Sequence, residues 1–413
     1  MLSKQHKQDI NIGIKKGVLA SNIPCIIGCK FCFLDNLNKL FPNIKEQFIP
    51  KYNDESFNYF YKQVKTNENE IYKNPTAISL IGMAHSINSK WYHYSHCDSF
   101  NLGLTIEQFE KIILLNKKHN RKTIFTTTGY NLDTEIAKKI SKKYKNWIGF
   151  RLSVITFNEN LKKKLITNPT KSNLVKKIIK NSPHSDLFLL HLNFKQIIND
   201  LKIIDNIGLM NSIAISKLHY NKYNSEIIKK ISKQSNKDFK KLIYYLYEHK
   251  NEFKNINKMC FHTPSRAFPW KFKKYLTEVF KQCQLKADDL LICSKAAYKV
   301  IKYIVQNKCQ ILPISDNLGG STTFTTTIFG KNIIKKITQM IKQGIKIKRI
   351  LVPDSIWSLR EIGIECDFDA VSFDDFNKKL PNIKVTIIKL PNEVISSELS
   401  LQDCYNYYEK FEN

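Results

Sequence analysis

The sequence predicts an α/β fold: a parallel sheet flanked by helices, then a second, smaller α/β block. Three observations carry this. Short apolar or β-branched runs alternate with amphipathic stretches from about residue 18 onward, and parallel strands joined by crossover helices give that alternation. The 413 residues, 42% hydrophobic, suffice for two or three domains with real cores. No run of 18 apolar residues occurs, so no transmembrane helix is expected. The start, MLSKQHKQDINIGIKKG, lacks the apolar stretch of a signal peptide, and a cytoplasmic location is expected.

Strands are expected at 18–21, 77–82, 123–128, 148–155, 187–192 and 212–216, with helices at 105–118, 134–144, 159–180 and 194–204. Thr105 before IEQFEK and Asp133 before TEIAKK stand where helix N-caps stand. Residues 224–254 read as a Lys-rich amphipathic helix or helix pair bridging two domains. The second block starts near 287 with strand 290–293, helix SKAAYKVIKYIVQN and strand QILPI. A Gly/Thr segment at 317–330, a helix, strand RILVP and strand KVTIIK complete it. The expected organisation is an extension at 1–14, a first domain at 15–265, an accessory α/β domain at 285–395 and a tail at 396–413.

The net charge of +30 attracts polyanions. Its make-up tempers that inference, because Arg121, Arg151, Arg266, Arg349 and Arg360 are the only arginines among 66 basic residues. Base readers favour arginine for its planar fork. An RNA or acidic partner is therefore one reading of the charge, and a lysine-solvated surface the other.

Cys25, Cys29 and Cys32 in PCIIGCKFCF have the spacing C-x3-C-x2-C. Clustered thiolates are soft ligands suited to an iron–sulfur cluster, and three of them leave one iron of a [4Fe–4S] cubane open. Gly28 permits a tight turn there, and Phe31 and Phe33 offer shielding from water. A zinc site or three unrelated thiols are the alternatives, but structural zinc takes four ligands and no second paired Cys or His motif stands nearby. The other cysteines are scattered without a disulfide framework.

The loop resembles the cluster loop of radical S-adenosylmethionine (radical SAM) enzymes, including the aromatic residue just before the last cysteine. More narrowly, CKFCFLDN, FRLSVITFNENLKKKLITNPT, the GGSTTFT segment, VPDSIW and DFDAVSFDDFNKKL resemble a subgroup joining a radical SAM barrel to a C-terminal domain of unknown function. Those motifs spread over most of residues 15–390; the PDZ-like module common in that subgroup is missing, and the insert after Cys32 differs. The resemblance implies a partial (β/α)6 TIM-like barrel and a [4Fe–4S] cluster on Cys25, Cys29 and Cys32. It also implies SAM on the open iron, reductive SAM cleavage to a 5′-deoxyadenosyl radical, and hydrogen abstraction from a substrate it does not identify. A low-potential electron donor of the flavodoxin or ferredoxin type follows as a partner.

Functional groups of α/β barrels collect at the C-terminal strand ends. Strand two ends in SLIGMAHS, where the family places a Gly-Gly-Glu segment holding the SAM amino group. Gly82 matches; the acid is missing, so carbonyls around Met83 and Ala84 are the expected substitutes. Strand three ends in TTTGY, with Thr128 in the place of the family's Thr-Asn-Gly turn. Arg151 and Ser153 lie two apart and so share a face. Ser153 is expected to bond the SAM ribose and Arg151 its carboxylate; the competing reading pairs Arg151 with an acid of the sheet. The loop after strand two carries His85, His93, His96 and Cys97. His93, His96 and Cys97 are expected as substrate contacts, proton relay or hydrogen-atom donor, against the plainer reading of a polar lid. GGSTTFTTT lacks the Gly-Lys-Ser/Thr ending of a phosphate loop and reads better as a strand.

The leading function is thus a radical SAM oxidoreductase or transferase. An RNA- or peptide-modifying radical SAM enzyme and a non-catalytic iron–sulfur or zinc protein are the alternatives.

Overall fold

The computed structural model describes residues 2–4, 7, 10–11, 14, 18–19, 28–31, 52–73, 80–81, 99–132, 134–181, 185–221, 223–262, 268–315, 330–353, 373–388 and 398–412. The chain is a mixed α/β protein with parallel sheets and divides into two compact units. One unit comprises Met1–Leu218, Ser225–Phe239 and His249–Cys260; the other comprises His219–Asn224, Lys240–Glu248 and Phe261–Asn413.

The larger sheet takes these strands in chain order: β1 (Val18–Leu19), β2 (Leu80–Ile81), β3 (Thr123–Thr127), β4 (Ile148–Ile155), β5 (Asp186–His191), β6 (Ser212–Lys217) and β7 (Met259–His262). All five pairings from β1 to β6 are parallel, so each connection must be a crossover. A chain-ordered parallel sheet is wound in one direction throughout. Helices supply the crossovers: α1 (Asp54–Thr66), α2 (Ile106–Lys118), α3 (Glu135–Lys143), α4 (Glu159–Leu165), α5 (Ser172–Asn181), α6 (Phe194–Ile207) and α7 (Glu226–Glu248). Thr105 caps α2 as expected, in a reciprocal pair with Gln108. The cap of α3 is Thr134 rather than Asp133, its hydroxyl accepting from the Ala137 N–H.

One expected helix is two. The stretch 159–180 breaks after α4 because Pro169 has no N–H to continue the ladder and biases the residue before it toward extended backbone. Ile166 is already extended, at φ −131° and ψ 135°. The segment freed by this break, residues 166–171, later matters for the site. By contrast, α7 is one continuous helix of 23 residues.

Register separates the two faces of this sheet. Phe125, Phe150, Leu152, Leu187, Leu189, Ile213 and Ile215 are all buried on the face covered by helices, where Phe109 of α2 meets Phe125 with ring centroids 5.7 Å apart. Burying each such side chain is worth about 2 kcal/mol. In-register partners on the other face are Thr126, Arg151, Asp186 and Ser212, then Ser153, Phe188 and Ala214. All of these except Thr126 keep partial access to solvent. Parallel strands ordinarily bury apolar residues on both faces. This face, partly polar and accessible, departs from that pattern.

The sheet of the second unit contains β8 (Asp289–Ser294), β9 (Gln310–Ile314), β10 (Arg349–Pro353) and β11 (Lys384–Ile388) in the order β11-β10-β8-β9, all parallel. The order reverses between β8 and β10, so this sheet is doubly wound, with a core on each side. Leu290, Ile292, Ile350 and Val352 pack on α10 (Gly330–Lys342) and α11 (Phe373–Lys379) through Ile333, Ile337 and Phe376. Leu291, Cys293 and Leu351 pack with Leu276 and Phe280 of α8 (Lys273–Gln282) and Ile301 and Val305 of α9 (Tyr298–Val305). Arg349 holds the buried Asp289 carboxylate in a two-pronged pair, the geometry for which lysine is no substitute.

Residues 398–412, expected as a tail, instead form β12 (Glu398–Leu399) and α12 (Leu401–Phe411). The strand pairs antiparallel with Phe261 and His262. A Ser400–Asp403 capping box starts the helix, and Cys404, Tyr407 and Tyr408 are buried on it. Among the described residues no helix is long and apolar enough to cross a membrane.

Candidate functional site

Residues 28–31 are the described part of the cysteine loop, and they are held by the chain that follows α4. Cys29 and Ile166 form an antiparallel bridge. The Lys30 N–H donates to the Leu165 carbonyl at 2.9 Å, and the Thr167 N–H donates to the Gly28 carbonyl at 3.1 Å. The Thr167 hydroxyl donates to that same carbonyl at 3.1 Å. Gly28 sits at φ +65°, and a Cβ there would stand 2.8 Å from Thr167 Oγ1. Both backbone conformation and space demand glycine.

The segment making these contacts is itself anchored. At the end of β4 the Thr156 N–H donates to the Val154 carbonyl at 2.8 Å across Ile155, whose φ is +67°. This is a γ-turn of the rare hand at a β-branched residue, and it coincides with a register shift against β5. Such strain costs about 1–3 kcal/mol and persists only where neighbours fix it. Here Asp200 accepts from the Phe157 N–H at 3.1 Å, and Gln196 donates to Thr156 Oγ1 at 3.2 Å and to Asp200. Burial pushes the Asp200 carboxyl up, and its bonds from Thr156 and Gln196 oppose the shift. Lys162, 2% exposed, donates to the Thr170 carbonyl at 3.1 Å and to Ser172 Oγ at 2.9 Å. Its ammonium is pulled down by burial, against the attraction of Glu159 and Asp200. Thr170 in turn packs on Gly129, at φ +88°, where a Cβ would meet its methyl at 3.2 Å. One short segment therefore touches the turn after β3 and the cysteine loop.

Four predicted site residues lie among the described ones. Cys29 is half-buried. Thr128 has a buried hydroxyl with no hydrogen-bond partner among the described residues, as has Thr126 two residues earlier. Arg151 stands with its Nε 3.9 Å from Asp186 Oδ2, longer than a hydrogen bond. Asp186 is occupied by Ser212 at 2.7 Å and Asn211 at 2.6 Å. Ser153 follows on the same polar face, in register with Phe188. Cys25, Cys32, Gly82, Met83, His85, His93, His96 and Cys97 lie outside the described residues, as do Phe33 and the GGSTTFTTT segment. Among the described residues no three His, Cys, Asp or Glu side chains gather at metal-binding distance.

Sequence reasoning missed Thr167, Lys162 and His191. The TNPT run after a helical stretch, with proline as breaker, was the available signal for the first. His191 ends β5 and faces away from the polar face, fully buried, with its ring edge-on to Phe239 at 5.3 Å. The Ser235 hydroxyl donates to the His191 carbonyl and its oxygen lies 3.3 Å from His191 Nδ1. Nδ1 therefore carries the proton and Nε2 the lone pair. Lys217 lies with its ammonium 5.0 Å from the Phe239 ring centre. Burial, with a smaller push from Lys217 that Asp238 opposes, lowers the His191 pKa to about 4.

The sign of that shift fixes a pH dependence. Below pH about 6.5 an unfolded His191 binds a proton that the folded one refuses down to about pH 4. The stabilisation is complete above pH 6.5 and lost as pH falls through this window. Urea unfolding from pH 7 to pH 5 should show the wild type losing about 2 kcal/mol more than His191→Gln. Parallel losses would mean that His191 titrates normally.

No family model matches the chain, and no curated protein matches it. Solved structures of SuiB from Streptococcus suis do match. The structure bound to S-adenosylmethionine is 11% identical over 59% of this chain and 49% of that one, with a TM-score of 0.35. The structure bound to precursor peptide SuiA is 13% identical over 72% and 56%, with a TM-score of 0.38. The chain thus spans about half the length of these structures. A likeness at such scores defines neither a shared topology nor a shared activity. What the geometry itself defines is an α/β protein with two largely parallel sheets, in which residues 28–31 are bridged to the chain that follows α4.

Proposed function

We propose that this chain is a radical SAM enzyme, built as a partial (β/α)6 barrel at 15–265 with an accessory domain at 285–395. Cys25, Cys29 and Cys32 would hold a [4Fe–4S] cluster, and SAM would bind at it. The observation that carries the reading is the C-x3-C-x2-C loop, whose glycine has a backbone conformation and a contact that admit no side chain. The residues present fit the group. Three thiolates suit iron, and the buried hydroxyls of Thr126 and Thr128, unpartnered among the described residues, are polar atoms that a polar cosubstrate would satisfy.

When bound, cluster and SAM together would supply reductive radical chemistry able to take a hydrogen from a substrate. The chain's own groups position and enclose. Thr128 and Ser153 offer hydroxyls to the ribose. Arg151, only loosely engaged by Asp186, offers its fork to the SAM carboxylate, and backbone around Gly82 and Met83 accepts from the amino group. His93, His96 and Cys97 serve the substrate side, in proton or hydrogen-atom transfer. A flavodoxin- or ferredoxin-type protein delivers the electron.

Anaerobic reconstitution tests this. About four irons and four sulfides per chain, and 5′-deoxyadenosine on reduction with SAM, are expected. Zinc in place of iron, or a cluster that never cleaves SAM, overturns it. Calorimetry should show SAM affinity falling roughly tenfold in Arg151→Lys and about threefold in Ser153→Ala. Unchanged binding in both moves the SAM site elsewhere. The +30 charge favours a polyanionic substrate such as RNA as a second reading, which predicts binding that weakens steeply with salt.

A further inference from the structure

We infer that Thr167 is a positioning residue for the cysteine loop: its hydroxyl and N–H together fix the Gly28 carbonyl and so set where Cys29 presents its sulfur. The inference rests on the reading of Cys29 as a cluster ligand. Two donors of one residue converge on a single acceptor, each at 3.1 Å. The neighbouring Lys30 N–H to Leu165 carbonyl bond, 2.9 Å, closes the bridge on the other side of Cys29. A chain held on both flanks of a residue has little freedom left at that residue. Ligand positions must be held to within about 0.5 Å for a defined metal geometry, and a surface loop does not hold itself so well.

The holding segment meets the requirement for rigidity because its own position is over-determined. Lys162 fixes Thr170 and Ser172 from beneath, the Ser172 N–H donates to Glu159 at 2.5 Å, and Thr170 abuts Gly129. The Thr167 hydroxyl is on the exposed side of this segment. Removing it leaves the core packing untouched, and its contribution to positioning can be read separately from folding.

The experiment compares full-length wild type, Thr167→Val and Thr167→Ser. Valine keeps the shape and deletes the hydroxyl donor; serine keeps the donor. In metal-free protein, hydrogen exchange at the Lys30 and Thr167 amides is expected to quicken about fivefold in the valine variant and to stay at the wild-type rate in the serine variant, the effect of one neutral hydrogen bond. In reconstituted protein, iron release to a chelator should follow the same order, with an altered electron paramagnetic resonance signal for valine alone. Melting temperatures should match throughout. Wild-type exchange, release and spectrum in the valine variant overturn the inference, as does an equal loss in valine and serine. A wild type that takes up no iron or sulfide overturns the underlying reading instead, and the exchange arm still reports whether the clamp exists.

Discussion

Cys29→Ala is expected to leave reconstituted protein without its absorbance near ~400 nm, without bound iron and without SAM cleavage, because a cubane held by three thiolates cannot lose one. Cys25→Ala and Cys32→Ala should behave alike. The fold should survive, since the bridge between Cys29 and Ile166 and the flanking bonds of Lys30 and Thr167 are made by backbone. Circular dichroism checks this on the same samples. The controls are Cys283→Ala and Cys309→Ala. Burial pushes the Cys309 thiol up to about 11 and raises that of Cys283, and a thiol kept protonated is no iron ligand. These variants should bind iron as the wild type does. Retention of a full cluster by any triplet variant would falsify the ligand assignment.

Lys162→Ala should cost about 3–4 kcal/mol of unfolding free energy, measured by urea titration. The side chain is almost wholly buried, so its loss leaves a cavity. It also deprives the Thr170 carbonyl and the Ser172 hydroxyl of a donor, although that hydroxyl keeps its own bond to the Phe157 carbonyl. The damage should spread along the segment to the cysteine loop, with faster hydrogen exchange at Thr167 and Lys30 before global unfolding. A loss under 1 kcal/mol, with those amides still protected, would show that the segment stands without its buried lysine. Lys162→Met restores apolar volume but no donor, and should recover part of the stability and none of the local protection.

Some of this was written plainly in the chain. Alternating apolar runs gave β3, β4, β5 and β6 nearly residue by residue, because a buried parallel strand needs a continuous apolar stretch and leaves a compositional mark. Thr105 could be read as a cap because capping is local, spanning three residues. The cysteine spacing could be read because three thiols within one short loop are a local pattern. The break at Pro169 was legible in principle and missed, since the lysines and apolar residues on both sides keep a helical period.

Other features had no local mark. Nothing in a lone lysine at 162 or histidine at 191 distinguishes them from the solvated residues around them; only packing reveals that both are buried. The order of the strands decides the rest. Chain order in the first sheet against reversal between β8 and β10 in the second makes one singly wound and the other doubly wound, though their strands read alike. Register then puts Thr126, Arg151 and Asp186 on one face and Phe125, Leu152 and Leu187 on the other. Residue type and spacing at Cys25, Cys29 and Cys32 are properties of a short segment, and the proposal of a cluster rests on them. Where Gly28 and Cys29 are held was settled by Thr167, well over a hundred residues away, because a hydrogen bond between distant segments exists only once the fold has brought them together.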